Sequence, residues 1–301
     1  MSGRSVLYHL IDFLYSVARY GVGSLQYQYG DFYRLRSFER DRAYTRHRRD
    51  VLCQALNPPK ELHVLRSKNE FNAFFKAFIG RAWMYCGEVT AADIADFIRQ
   101  LGRVIVKPGA STEGRGVYAL VFDPLTVADV AEKLAGTDTM IEEILVQHPD
   151  MSFASRSVNS VRVSTVIDAR GEVRVVKAAL RCGIGDTLVD NYTTGGAVYP
   201  VDIATGRIEG PGGNNVVGPT IYVHPGTNCF MPGRIIPFWH EAIETVSTAA
   251  AMIPNIRLVG WDVAILENGP ELIEGNSKPG EMLMECPGGV NGLYRLIQAL
   301  V

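Results

Sequence analysis

Residues 258–280, LVGWDVAILENGPELIEGNSKPG, constrain the fold of this chain more than any other stretch. Two apolar runs, 258–266 and 270–273, flank the turn Glu267-Asn268-Gly269. Asn-Gly between apolar runs is a strong hairpin signal, because both central turn positions must accept positive φ. The first run carries one acid, Asp262, and the second ends in Glu274-Gly275-Asn276. An antiparallel hairpin folded at Asn268-Gly269 brings Asp262 close to Glu274 and Asn276. A carboxylate inside an apolar strand is costly unless something pairs with it. Three hard oxygen donors at one sheet end are a set that Mg²⁺ takes while it also holds phosphate oxygens. Read without that ligand, the same residues are an acid at a strand edge and a polar turn.

The 301 residues suffice for one large domain or two smaller ones. A hydrophobic fraction of 47% and a charged fraction of 21% are those of a globular protein. The net charge of −2 gives no global field towards nucleic acid or membrane. Cys53, Cys86, Cys182, Cys229 and Cys286 are scattered, odd in number and lack a CxxC, which argues against a zinc site or a disulfide framework. No basic leader with a long apolar run and cleavage site is present, and no stretch approaches a membrane span. A cytoplasmic protein without stable membrane insertion is expected.

Residues 5–20 have apolar positions at helical spacing (Leu7, Leu10, Ile11, Leu14, Tyr15, Ala18), ended by Gly21 and Gly23. The Arg-rich segment 31–50 interleaves acids, and reads as a solvated helix face with i,i+4 pairs or as a basic face for an anionic partner. Helical periodicity resumes over 68–86 (Phe71, Phe74, Phe75, Phe78, Ile79), and 91–101 form a further helix with Thr90 as N-cap. From Arg103 the pattern turns to β: strands at 104–106, 117–122 and from Met140, with a helix over 127–134 between them. Two alternating strands occupy 161–180, joined at Ala169-Arg170-Gly171; residues 183–233 are Gly/Pro/Asn-rich with short strands; 236–252 are helical. The order predicts an α+β fold with antiparallel sheets. It divides into a helical segment 1–60, a unit 61–150 and a unit 151–301.

Lys107 follows an apolar strand and precedes PGASTEGRGVYAL. The glycines of this loop let backbone N–H groups cradle an anion, with the lysine as a point charge behind them. The lysine precedes the glycines and a strand follows, so this is neither a Walker loop nor a dinucleotide fingerprint. Taken alone it also reads as an ordinary hairpin loop. Glu142 and Glu143 end the next strand and suit either an adenine and ribose hinge or a helix start. Arg162, on an apolar strand within Asn159-Ser160-Val161-Arg162-Val163, and Arg181, at the end of the next strand, must reach a carboxylate or a phosphate. Asp190-Asn191-Tyr192 and Gly195-Gly196 form a polar turn with close backbone access. His148, His224 and His240 read as structural.

Together, the order of lysine strand, Gly-rich flap, acidic hinge, arginine strands and Asp…Glu-x-Asn resembles the ATP-grasp superfamily of carboxylate–amine ligases. The wording KPGASTEGRGV, SVNSVRV, DNYTTGG and GWDVAI…GPELIEGNSKPG is similar to the sugar-transfer-associated ATP-grasp family, close to alpha-L-glutamate-ligase-like proteins, over about residues 60–290. The resemblance implies two α+β subdomains clasping ATP. It assigns Lys107 to the α- or β-phosphate, Lys68 or Lys76 as the earlier nucleotide lysine, and Ser111, Thr112, Glu113, Gly114, Arg115 and Gly116 as the flap. Glu142 and Glu143 fall at the adenine hinge. Asp262, Glu274 and Asn276 hold Mg²⁺ (or Mn²⁺), Arg162 and Arg181 neutralise the γ-phosphate or an acyl-phosphate, and Asn191, Gly195, Gly196 and Lys278 line the acceptor pocket. The implied activity is an ATP-dependent ligase joining a carboxylate to an amine, such as an amino acid or amino sugar, in polysaccharide or conjugate biosynthesis, with no role for nucleic acid. A phosphotransferase on the same scaffold and a non-catalytic partner of a glycan-assembly complex are the alternatives. Two features depart from the superfamily: residues 1–100 read as helical where an α/β domain is usual, and the ribose acid after the hinge is replaced by no closer candidate than Gln147 or Asp150.

Overall fold

The structure is a computed structural model that describes residues 5–29, 31–109, 116–153, 157–184, 195–214, 218–280, 283–284 and 292–301. The chain begins with helices α1 (Val6–Tyr20), α2 (Ser24–Tyr29), α3 (Ser37–Arg40), α4 (Arg46–Leu56), α5 (His63–Arg66) and α6 (Lys68–Phe74). Ser5 and Thr45 cap α1 and α4 by accepting from backbone N–H groups, and Gly21 ends α1 at φ 65°. Strand β1 (Trp83–Tyr85) and helix α7 (Ala91–Leu101) follow, then β2 (Arg103–Pro108), β3 (Tyr118–Val121), α8 (Val127–Leu134) and β4 (Thr139–Glu143). Thr90 and Asp93 form a capping box on α7, which satisfies two orphan N–H groups at its start.

The second unit runs through β5 (Ser160–Ile167), β6 (Val173–Cys182), β7 (Ala197–Pro200), β8 (Gly212–Asn214), β9 (Gly218–Ile221), α9 (Trp239–Ala251), β10 (Leu258–Leu266), β11 (Gly269–Asn276) and α10 (Leu293–Leu300). The strands make two antiparallel sheets, ordered β1-β4-β2-β3 and β11-β10-β5-β6-β7-β8-β9. Helices α7 and α8 bury Ile94, Ile98 and Ala131 against Val104, Val106 and Ile141 of the first sheet. One face of the second sheet packs on α9 and also on Leu62, Val64, Phe71 and Phe75 from α5, α6 and their flanks. Its other face meets Leu52, Cys53 and Leu56 of α4 and Leu293 and Ile297 of α10, through Val166, Val176 and Leu258.

The antiparallel α+β organisation, the hairpin and the helix at 127–134 agree with the sequence reading. Three differences have physical causes. The helix expected over 68–86 stops at Phe74, and Trp83–Tyr85 is the edge strand β1: its backbone pairs with β4, and the intervening Arg81 is held by two buried acids. The segment 31–50 is only partly a solvated face: Arg34, Arg36, Arg42 and Arg46 are exposed, but Arg40 and Arg48 are not. Arg40 is buried and forms a bidentate pair with Asp12 of α1, while Arg48 donates to the Arg40 and Ala43 carbonyls and stacks on Tyr20 and Tyr294. The terminal helix α10 carried no signal used in the sequence reading.

The division at residue 60 remains a proposal, and the packing adds that α4 is joined to the second sheet. Asn57, buried just after α4, donates to the Leu258 and Ser277 carbonyls (2.7 and 2.8 Å) and accepts from the Leu258 N–H (3.0 Å). It therefore ties α4 to both strands of the hairpin. Asn57→Ala should lower stability by about 2–4 kcal/mol, since it orphans buried backbone groups. Urea unfolding checks this; an unchanged midpoint would show that water replaces the amide.

Candidate active site

The hairpin places Asp262 directly opposite Glu274, and Gly260 opposite Asn276. A bulge makes this compatible with the core. The register steps from Asp262↔Glu274 to Val263↔Leu272, so Ile273 is an extra residue. Without it, period-two alternation would put Leu272 on the face of Glu274; with it, Leu272 enters the core and Glu274 stays on the polar face. The other neighbour of β10 is β5, where Arg162 lies opposite Asp262. Arg162 pairs with Ala179 of β6, so Arg181, two residues on, shares that face. Glu274, Asp262, Arg162 and Arg181 thus cross four adjacent strands in a short run.

Asp262 is spent on the arginines. Arg162 donates to both of its oxygens, at 2.9 Å from Nη2 to Oδ2, and Arg181 Nη1 donates to Oδ2 at 2.7 Å. Burial alone would raise its pKa, but the two guanidiniums hold the carboxyl well below the usual range. Glu274 shifts the other way, pushed up first by the surrounding protein and then by the facing Asp262 charge. It remains accessible to solvent. Asn276 donates to Glu274 Oε1 at 3.0 Å. Among the described residues no group of three His, Cys, Asp or Glu side chains is arranged for a metal. The oxygen donors here are two carboxylates and one amide.

From the first sheet, Lys107 on β2 donates to Glu142 Oε2 on β4 at 2.5 Å. Arg81 donates to the same carboxylate from Nε at 2.9 Å, and Asn72 of α6 to Oε1 at 3.1 Å. Arg81 also donates to Glu271 of β11 at 2.6 Å and to the Leu272 carbonyl at 2.8 Å. Burial works against the Glu142 charge, yet Lys107 and Arg81 hold its pKa down at about 2. Arg81, Glu271 and Asn72 were not foreseen. A signal existed: Glu271 is a second acid in the predicted hairpin, and an inward carboxylate requires a cation.

Lys68 donates to the Pro108 and Gly109 carbonyls, both at 3.1 Å, where the loop after β2 begins. Burial lowers its pKa, and it feels the charges of Glu274, Lys107, Asp138 and Glu142. It therefore stands between the two sheets, whereas Lys76 is exposed on a 3-10 turn. Glu143 points away from Glu142 and accepts from the Ala82 N–H at 3.0 Å. Gly116 takes φ 73°, a left-handed turn after the loop. Gly195 and Gly196 offer their carbonyls to the Asn214 amide at the end of β8. Lys278 is exposed, and Pro279 beside it lies against Gly260, where any added Cβ would sit 3.1 Å from Arg162 Cδ. Ser111, Thr112, Glu113, Gly114, Arg115 and Asn191 lie outside the described residues. His224 is buried and its ring meets the Gly183 carbonyl, a packing role in its loop.

A family model described as sugar-transfer associated ATP-grasp matches residues 47–299. Solved structures with the same fold include the ATP-grasp ligase PsnB complexed with a phosphomimetic variant of minimal precursor, Mg and ADP: 15% identity, TM-score 0.50, covering 81% of this chain and 61% of that one. A biotin carboxylase–βγ-ATP complex from Campylobacter jejuni matches at 15% identity and TM-score 0.52, over 79% and 46%. D-alanyl-alanine synthetase A from Vibrio cholerae matches at 12% identity and TM-score 0.50, over 80% and 67%. The chain spans about three fifths of the length of the first of these. No curated protein matches.

Glu142 makes acid stability a readout of the site. Its folded pKa of about 2 lies below the 4.5 of an unperturbed glutamate, so its contribution is present above 4.5 and is lost as pH falls through 2. Arg81→Met, which leaves Glu271 without this partner, should cost about 3–5 kcal/mol at neutral pH. The deficit should shrink as pH falls from 4.5 towards 2 and Glu142 protonates. Urea unfolding of both proteins across that range checks it; a constant difference would contradict the ion-pair origin.

Proposed function

The chain belongs to the sugar-transfer associated ATP-grasp family, and from that premise we propose that it is an ATP-dependent ligase that joins a carboxylate to an amine. The observation that supports this best is that charged side chains from both sheets come near one another. Lys107 comes from the first sheet, Lys68 reaches from α6 to the start of the loop after β2, and Arg162, Arg181, Asp262 and Glu274 come from the second sheet. A polyanion with its counter-ion fits such a grouping better than a neutral ligand does.

In this reading Lys107 and Lys68 bind the phosphates, with Ser111, Thr112, Gly114, Arg115 and Gly116 as the covering loop. Glu142 orients Lys107 and is itself fixed by Arg81. With both side chains of the Glu142-Glu143 pair already engaged, the backbone after β4 is what reads the adenine edge. The residues fit a divalent ion: two facing carboxylates at Asp262 and Glu274 favour a shared proton, and Mg²⁺ (or Mn²⁺) is the alternative to that proton. Glu274 and Asn276 would hold it beside Asp262. When bound, the ion supplies charge neutralisation at the phosphate oxygens.

Arg162 and Arg181, kept in place by Asp262, face the transferring phosphoryl group, where positioned charge accounts for most of the catalysis. The substrate carboxylate attacks the γ-phosphorus of ATP, ADP leaves, and the acyl-phosphate meets an amine to give an amide and free phosphate. Exclusion of water falls to the covering loop. Asn191, Gly195, Gly196 and Lys278 are assigned to the acceptor side. The superfamily scaffold also serves the reading of a phosphotransferase, but no observation here favours a hydroxyl acceptor.

Glu274→Gln should abolish ADP formation while circular dichroism and melting stay near those of the parent; unchanged turnover would remove Glu274 from the metal set. Lys107→Ala should raise the nucleotide Kd at least roughly tenfold, for loss of a charge-assisted contact of about 1.5–3 kcal/mol. Calorimetry decides this, and equal affinities would contradict the placement of the phosphates.

A further inference from the structure

Helix α1 is built inside out. Its polar side chains face the protein: Asp12 holds Arg40 at 2.8 and 3.0 Å, and buried Ser16 accepts from Arg40 at 3.1 Å. Phe13 and Tyr20 also pack inward, but most of its apolar side chains face outward. Val6 is 86% exposed, Leu7 65%, Leu10 52%, Ile11 59%, Leu14 58% and Val17 41%. Spacing of three and four residues joins Leu7, Leu10, Ile11 and Leu14 into a continuous stripe. Globular proteins turn such a stripe to the core, and single exposed apolar residues rather than a patch are the ordinary case. No described residue covers it, and the helix precedes the residues 47–299 matched by the family.

Charge identifies the occupant. Residues 1–50 contain nine arginines against five acids, although the whole chain carries −2. Several of these acids are engaged internally: Asp12 with Arg40, Asp31 with Arg34, and Glu39 with the Arg36 N–H. Arg36, Arg42 and Arg46 are exposed. Their segment packs against the inward face of α1: Tyr33 sits edge-on to His9, and Arg40, which bonds the Tyr33 and Leu35 carbonyls, also bonds Asp12 and Ser16. A helical unit with both an exposed apolar face and exposed arginines matches a surface that is apolar beneath and anionic on top.

We propose that α1 and the adjoining arginines dock on an anionic lipid bilayer. The helix lies in the interface rather than across it: its 15 residues extend about 22 Å, short of a hydrocarbon core of about 30 Å. A second copy of the chain is disfavoured, because a two-fold contact would bring two arginine-rich segments together. A nucleic acid would leave the apolar stripe uncovered.

Flotation of the full chain with vesicles tests this, using phosphatidylcholine alone and phosphatidylcholine mixed equally with phosphatidylglycerol. The expected result is binding to the mixed vesicles, lost at high salt and reduced at least about tenfold by the triple variant Leu10→Glu, Ile11→Glu, Leu14→Glu. A second triple variant, Arg36→Ser, Arg42→Ser, Arg46→Ser, should weaken binding without touching the stripe. Circular dichroism reads folding of both variants. No flotation, or flotation indifferent to both variants, overturns the proposal. So does a lipid-free dimer that the glutamate variant dissociates, which assigns the stripe to a second copy. Binding to duplex DNA that competes with vesicles and survives the glutamate variant assigns the arginines to nucleic acid instead.

Discussion

Glu142 is the point at which the two sheets are joined electrically. Its carboxylate, on β4 of the first sheet, is shared by Lys107 on β2 and by Arg81, which reaches on to Glu271 of β11 in the second sheet. Two buried acids are matched by buried Arg81 and half-buried Lys107, so the cluster is neutral as a whole while each member depends on the others. Removing any one leaves an uncompensated charge in a poor solvent for it, which is why such groups fix geometry more surely than they add stability. The lysine assigned to the nucleotide is therefore tied, through Glu142 and Arg81, to Glu271 of the opposite sheet.

A second charged row depends on this closure. Glu274, Asp262, Arg162 and Arg181 line one face of β11, β10, β5 and β6, and the bulge at Ile273 keeps Glu274 on that face while Leu272 fills the core. Lys68 spans the gap, bound to the start of the loop after β2 and sensing Glu274 across it. Asp262 restrains two arginines that would otherwise repel one another, so its first task is to position them. Glu274 is the carboxylate left exposed beside them, pushed towards its protonated form by its surroundings and then by the facing Asp262 charge.

Much of this was legible in the sequence because it rests on local pattern. The Asn-Gly turn fixed the hairpin, period-two alternation gave β5 and β6, and Thr90 marked the start of α7. The polar residues on the apolar strands, Asp262 and Arg162, were visible as a demand for partners, and each turned out to be the other's partner. What stayed hidden depends on tertiary pairing. Period alone did not show that the helical pattern of 68–86 breaks after Phe74, because the signal for β1 is its pairing with β4 and the pull of two acids on Arg81. The arginines of 31–50 looked solvated because Asp12, the partner that buries Arg40, lies 28 residues away.

The central claim is that this shared cleft couples ATP cleavage to amide formation. The most direct measurement reads ADP and free phosphate together, with Mg²⁺, across a panel of amino acids and amino sugars supplied singly and in pairs. The account predicts equal amounts of ADP and phosphate, dependent on both a carboxylate and an amine. ADP formed without free phosphate, with the phosphoryl group recovered on a hydroxyl acceptor, would contradict it.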